Sequence, residues 1–398
     1  MSALLGVGAG LLAPAVVYAA VMVWLRFVNE ELGMRNEEWQ VERAEALVFN
    51  SSFLIPDSSL KFSVLIAARN EAPNLPALLA DLTGQSLPPS QFEILVIDDH
   101  STDATPAIIR QAAQTSPFRL RLLQLAQLPN QPTGKKAALA AALPLARAPW
   151  VVCTDADCRV GPGWLAAYAA LLRRQPDARF ISGPVQLTGT ASLLQKLVGL
   201  EFAGLVGVGA ATLAAGRPTM CNGANLAYRP DMFQAVGGFA GNELIASGDD
   251  EFLLHKIQAA FPGTVHFLAA PAAIVRTAAP PNLRALLRQR VRWASKWRYY
   301  QSAAPRRLAV LVLAANVALG AGLLVGLFWP ALRPWVGAAW LVKLGADAWF
   351  LWPVLGFFGR RRWLALVPLL QLAYGPYALG VGLAGLRGGY EWKGRAVR

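Results

Sequence analysis

Four apolar runs limit what this chain can fold into more than any other feature. Ala3 to Phe27 is almost uncharged, interrupted only by Pro14 and carrying Arg26 at its far end. Three more runs follow late in the chain, at Leu308 to Trp329, Trp335 to Phe358 and Trp363 to Leu386. Segments of about 20 to 25 apolar residues are long enough to cross a bilayer as helices, and there a helix satisfies its own backbone polar groups. The first run reads as an anchor. A cleaved signal sequence is the alternative, but the start lacks a basic stretch and the apolar segment is too long for one. Lys343 and Asp347 lie four apart in the third run, on one helical face, and are expected to pair inside a bundle. The expected plan is therefore one span over 1–28 and about three over 308–386.

The sign of the charge gives a direction. A net charge of +13 together with 55% hydrophobic residues describes a chain that is both greasy and basic, as a membrane protein with a cytosolic face is. No zinc-finger, helix-turn-helix or aromatic-basic RNA signature accompanies the charge, so no nucleic-acid partner is expected. Cys153, Cys158 and Cys221 form no C-x-x-C pair and read as reduced thiols of a cytosolic compartment. His100, His255 and His266 are scattered and suggest no histidine metal site. By the Lys/Arg rule the central region and the loop Gly359 to Arg362 are cytosolic. The basic tail 387–398 conflicts with this, because three crossings carry it outside. Either the charge rule fails there or the last run folds back near Gly375-Pro376.

Between the runs the pattern changes. Residues 29–60 are a polar, Glu- and Arg-rich linker, expected to be helical from Asn29 to Asn50. From 61 to 283 strand and helix signals alternate, as in an α/β domain with a mostly parallel sheet. The expected strands are Ser63 to Ala68, Glu93 to Ile97, Leu120 to Leu125, the run from Trp150, Arg179 to Val185 and Cys221 to Tyr228. Helices are expected from Pro73, Ala104, Gly134 and Gly248. Leu193 to Gly216 is apolar enough to suggest another span, but it carries Lys196 and Glu201 and sits inside the α/β region, so an interfacial or core helix is expected. Residues 284–307 hold eight Arg or Lys and no acid, interleaved with Trp293, Trp297, Tyr299 and Tyr300. That composition suits a helix in the headgroup layer.

Most of the polar clusters fall where expected strands end, which is where open α/β sheets bind ligands. W-V-V-C-T-D-A-D-C at Trp150 to Cys158 ends a buried strand in two carboxylates. In extended chain Asp155 and Asp157 leave the same face and supply hard oxygen ligands for Mg²⁺ or Mn²⁺, ions that share their shell with substrate phosphates. A polar turn after a strand is the plainer reading of D-x-D alone.

Six clusters in fixed order shift that balance: A-R-N-E at Ala68 to Glu71, D-D-H-S at Asp98 to Ser101, G-K-K at Gly134 to Lys136, D-A-D at Asp155 to Asp157, G-D-D at Gly248 to Asp250, and Q-R-V-R-W at Gln289 to Trp293. Together, over about Phe62 to Trp297, they resemble the membrane-bound members of glycosyltransferase family 2. The resemblance implies the GT-A fold, a Rossmann-like α/β domain with a mostly parallel sheet, and transfer of a sugar from a nucleotide-sugar donor, a UDP-sugar first, to a lipid or polysaccharide acceptor. It implies that Ala68, Glu71, Asp98 and Asp99 hold the nucleoside, that Lys135 meets the diphosphate, and that Asp155 and Asp157 hold a divalent metal, Mg²⁺ or Mn²⁺. It makes Asp250 the catalytic base with Asp249 beside it; Asp249 stands where the family has Glu. Arg292 would face the diphosphate, with Gln289 and Trp293 at the acceptor site. Two other classes stay open. A membrane nucleotidyltransferase could share the fold and metal aspartate, but A-A-R-N-E lacks the glycine of a phosphate loop. A transporter would leave the large central domain without a purpose.

Overall fold

The computed structural model of the protein describes residues 2–34, 59–189, 191–242, 248–299, 302–387, 390–392 and 395–397. The chain forms two compact units. One comprises Glu37–Thr188 and Met220–Ala279; the other gathers Met1–Asn36, Gly189–Thr219 and Pro280–Arg398. The expected surface helix over Asn29 to Asn50 lies outside the described residues beyond 34.

The first unit is built on strands β1 (Phe62–Ala68), β2 (Phe92–Asp98), β3 (Arg119–Gln124), β4 (Trp150–Asp155), β5 (Phe180–Ser182), β6 (Val185–Thr188), β7 (Leu226–Tyr228), β8 (Val265–Phe267) and β9 (Val275–Ala278). The main sheet runs β3-β2-β1-β4-β7-β5-β8, and β6 pairs with β9 apart from it. β1 to β4 are parallel, and β1 and β2 are buried along nearly their whole length, so they read as nearly continuous apolar runs. β7 runs antiparallel to both β4 and β5. The expected fifth strand is two strands, because Gly183-Pro184 interrupts it. Only the last three residues of Cys221 to Tyr228 are strand. The segment before them forms a turn, in which Asn225 N–H donates to Asn222 O at 3.0 Å.

That turn is pinned by Asn225, which is fully buried. Trp164 Nε1 and Tyr168 Oη donate to its Oδ1 at 2.9 and 2.8 Å, and its Nδ2 donates to Pro184 O and Ala273 O, each at 2.8 Å. Gly183 lies against the same amide. Any Cβ there would sit within 2.7 Å of three Asn225 side-chain atoms, so the position admits only glycine.

The second unit is helical. It contains Ser2–Glu31, Leu193–Ala214, Leu283–Ala294, Ala303–Phe328, Arg333–Phe357 and Val367–Arg387. Among the described residues four segments are long and apolar enough to cross a membrane: Gly6–Glu31, Leu193–Ala214, Ala303–Phe328 and Arg361–Gly385. Leu193–Ala214, expected as an interfacial or core helix, is apolar enough to be one of the four yet largely buried, and Arg333–Phe357 is not among them. The latter is a 25-residue helix, and its Lys343 and Asp347 pair as expected at 2.7 Å, with Tyr18 donating to the same carboxylate at 2.6 Å. Val367–Arg387 is one helix with Pro376 inside it, so the chain does not fold back at Gly375-Pro376. The expected basic helix over 284–307 also divides. It ends at Ala294, continues as a 3₁₀ turn over Ser295–Tyr299, and Arg306 and Arg307 open the next, apolar helix.

Candidate active site

Three adjacent parallel strands end at one level. Ala68 of β1 is opposite Asp98 of β2, and Ala67 is opposite Asp155 of β4. The carboxyl edge of the sheet therefore carries the expected cluster residues side by side, and two neighbouring constellations form there.

The first joins the ends of β1 and β2. Asp99 N–H donates to Ala68 O at 2.8 Å and Arg69 Nη1 to Asp99 O at 2.9 Å. Asn70 and His100 both adopt positive φ, 53° and 57°, which bends each chain sharply off its strand. Asp98 and Asp99 are almost fully buried. Asp98 Oδ1 accepts from Ser101 N–H at 3.2 Å, and Asp99 Oδ2 accepts from Gly134 N–H at 3.1 Å. Asp99 thereby fixes the glycine that precedes the helix Lys135–Ala142; Gly134 has φ 93°, which favours that residue. Glu71 is spoken for locally, its Oε2 accepting from Asn74 Nδ2 at 2.7 Å. Asp103 caps the following helix through Thr105 N–H at 3.0 Å.

The second constellation centres on Lys135, the first residue of the helix Lys135–Ala142. Its Nζ lies 2.5 Å from Asp155 Oδ1, 3.3 Å from Gly223 O and 3.8 Å from Asp249 Oδ2. Asp249 and Asp250 open the helix Asp249–Ala260, where carboxylates are favourable against the helix dipole. Asp250 is held at both oxygens, accepting from Gly223 N–H at 2.7 Å and Glu251 N–H at 2.9 Å. Burial alone would lower the Lys135 pKa, but Asp155, Asp249 and Asp250 outweigh it and hold the ammonium well above the ordinary lysine value. Burial raises the Asp249 carboxyl, and the charge of Asp250 adds to this against the pull of Lys135.

The Asp155 and Asp157 geometry differs from the extended chain expected. β4 stops at Asp155, and Cys158 N–H donates back to Asp155 O at 3.1 Å, so 156–157 form a turn. The two carboxylates and the Cys158 thiol still each bring a ligand atom within 4.8 Å of the others. The carboxylates fit a hard divalent ion such as Mg²⁺ or Mn²⁺. The thiol does not, because burial, reinforced by the charges of Asp155 and Asp157, keeps it protonated.

Gly223 had no place among the expected site residues, yet its backbone joins the constellation, its N–H to Asp250 and its C=O to Lys135. A methyl group there would lie 3.0 Å from Lys135 Nζ, 3.2 Å from Asp250 Oδ2 and 3.5 Å from Asp249 Oδ2. The one available signal was the Asn222-Gly223 pair, a turn dipeptide inside a segment that otherwise reads as strand.

Gln289, Arg292 and Trp293 belong to the helical unit, on Leu283–Ala294. In that unit the buried member of the cluster is Arg290. It donates to Glu201 Oε2 at 2.6 Å and Tyr377 Oη at 3.0 Å, and its guanidinium lies 4.3 Å from the Trp293 ring centroid. Trp293 packs in turn against Phe202 at 6.2 Å between centroids.

Comparison with known proteins agrees with this architecture. Over 118 residues the chain is 35% identical to β-monoglucosyldiacylglycerol synthase of Nostoc sp., a stretch covering 29% of this chain and 25% of that protein. It is 23% identical over 250 residues to poly-β-1,6-N-acetyl-D-glucosamine synthase of Staphylococcus epidermidis, covering 62% of this chain and 57% of that one. The matched stretches thus span a quarter to somewhat over half the length of these curated relatives. The solved mannosyltransferase PcManGT from Pyrobaculum calidifontis, in complex with GDP-Man and Mn²⁺, superposes over 95% of this chain and 98% of its own, with TM-score 0.50 and 20% identity, a likeness of fold. The family model "Glycosyltransferase like family 2" matches residues 59–295, more than half of the chain, and the protein belongs to that family.

Proposed function

We propose that the protein is an inverting membrane glycosyltransferase that takes a nucleotide sugar from the cytosolic side and transfers the sugar to a membrane-associated acceptor. The observation that carries this is the convergence of Lys135, Asp155, Asp249 and Asp250 around the Gly223 backbone at the carboxyl edge of the sheet. Glycosyl transfer needs a cation near the departing diphosphate, a carboxylate to take the acceptor proton, and a nucleoside cradle alongside. Buried Asp98 and Asp99, with Glu71 and Ala68, form the cradle, where carboxylates accept from base N–H groups and ribose hydroxyls. Asp155 and Asp157 would hold a divalent ion, which would neutralise charge developing on the leaving diphosphate. Asp250, fixed by two backbone N–H groups, receives the proton of the acceptor hydroxyl as that oxygen attacks the anomeric carbon from the face opposite the diphosphate. Arg292 is assigned to the diphosphate, and Gln289 and Trp293 to the acceptor.

A UDP-sugar is the first donor to try, with GDP-sugars beside it because PcManGT was solved with GDP-Man. Both a glycolipid synthase and a polysaccharide synthase occur among the relatives. A lipid acceptor is preferred here, since among the described residues few apolar helices are left to line a polymer channel. Offered a panel of nucleotide sugars with Mn²⁺ or Mg²⁺, the purified protein in detergent is expected to release nucleoside diphosphate together with a glycosylated product. Release of pyrophosphate from a nucleoside triphosphate and a sugar phosphate would instead establish a nucleotidyltransferase. Asp250→Asn is expected to lower turnover by about 10²–10⁴-fold while donor binding persists. Loss of donor binding in that variant would move Asp250 out of the role of base.

A further inference from the structure

Building on that proposed function, we infer that Lys135 is a resident counter-ion that competes with the divalent metal for Asp155, so that metal and diphosphate bind cooperatively and neither binds well alone. Three carboxylates, Asp155, Asp249 and Asp250, act on the Lys135 ammonium, which touches the first at 2.5 Å and lies 3.8 Å from the second. Two of the Lys135 protons are directed at Asp155 Oδ1 and Gly223 O. The Asp155 oxygen that pairs with Lys135 belongs to the same carboxylate that stands with Asp157 as a metal ligand.

A divalent ion approaching Asp155 therefore meets a ligand already neutralised, and a cation within about 4 Å repels it. A diphosphate changes the balance. It offers Lys135 a new anionic partner within reach of a flexible four-carbon stem, drawing the ammonium off Asp155 and freeing that carboxylate for the metal, which the same diphosphate helps to ligate. Lys135 thus has two partners in succession, Asp155 before donor binding and the diphosphate after it. The exchange involves no covalent step and no proton transfer. It also gives the G-K-K cluster a purpose that a simple phosphate contact does not: the lysine blocks unproductive metal binding until the donor arrives.

Mn²⁺ binding to the full-length protein in detergent, followed by loss of the free-ion paramagnetic resonance signal, tests this without any turnover. Titrations are run with Mn²⁺ alone, with UDP and with GDP. Wild type is expected to bind Mn²⁺ weakly alone and at least tenfold more tightly with the matching nucleoside diphosphate. Lys135→Met, close in shape and uncharged, is expected to bind Mn²⁺ alone roughly tenfold or more tightly than wild type, while the gain from nucleotide shrinks towards none. Lys135→Arg keeps the charge and is expected to retain weak binding. In Lys135→Met combined with Asp155→Asn the tighter binding of Mn²⁺ alone should vanish, because it runs through Asp155. Unchanged Mn²⁺ affinity in Lys135→Met, with only nucleotide binding lost, overturns the competition and leaves the lysine a plain phosphate ligand. Failure of wild type to bind Mn²⁺ even with nucleotide overturns the competition together with the metal site itself, which distinguishes the two failures.

Discussion

At the scale of single residues, the site depends on a glycine and an asparagine as much as on its carboxylates. Gly223→Ala places a methyl 3.0 Å from the Lys135 ammonium, whose flexible tip can yield. The fold should survive, with donor affinity falling by about tenfold as one charge-assisted contact is weakened, measurable by nucleotide titration. Asn225→Ala removes the acceptor of Trp164 Nε1 and Tyr168 Oη in a fully buried place. Leaving those donors unpaired should cost on the order of 3 kcal/mol, read as a lowered thermal midpoint. Burial pushes the Cys153 thiol up to about 12 and holds the Cys158 thiol well above its usual value. Neither should react with N-ethylmaleimide at neutral pH until the protein unfolds, as peptide mass spectrometry would show. Asp249 gives a pH signature. Its native pKa is raised, so ionisation favours the unfolded chain as pH rises through the window from the unfolded value up to the native one. Asp249→Asn should therefore raise the thermal midpoint at neutral pH, and the gain should fade as the solution is acidified below that window.

Elements show where sequence patterns are legible and where they are not. β1, β2 and β4 were readable to within a residue or two, because a parallel strand buried on both faces is a short, almost unbroken apolar run; β3, half-exposed at the sheet edge, was readable from its Leu residues. The polar clusters at the ends of β1, β2 and β4 were readable for the same reason, since an abrupt change from Val and Ile to Asp marks an edge. Three-residue β5 and β7 carry too little pattern, and nothing local tells that β7 runs the other way. The turn at 156–157 and the role of Gly223 depend on backbone hydrogen bonds that side-chain patterns do not encode. The motif Q-R-V-R-W drew attention to Gln289, Arg292 and Trp293, while the buried member is Arg290. Its bonds to Glu201 and Tyr377 tie the helix Leu283–Ala294 to two others of the same unit. Arg290→Met leaves the part-buried Glu201 without its cation, with Tyr377 Oη donating to it at 3.4 Å, a loss of about 3 kcal/mol, visible as a lower midpoint in detergent. Pairing it with Glu201→Met should recover most of the loss.

Across the whole molecule the main departure from the linear sequence is that the sheet unit is not contiguous. The chain leaves it at 189, forms Leu193–Ala214 within the helical unit, and returns at 220. A fragment of 59–280 should therefore aggregate without detergent, whereas the same fragment with 190–219 replaced by a short polar linker should stay dispersed; sedimentation of both compares them. β7 enters the sheet between β4 and β5, although it is made after both and after the apolar helix. During synthesis β5 consequently emerges with no neighbour to pair with on the β4 side and has to wait. The centre of the sheet closes only once the long apolar helix Leu193–Ala214 has been made, so the sheet cannot be completed strand by strand in the order of synthesis.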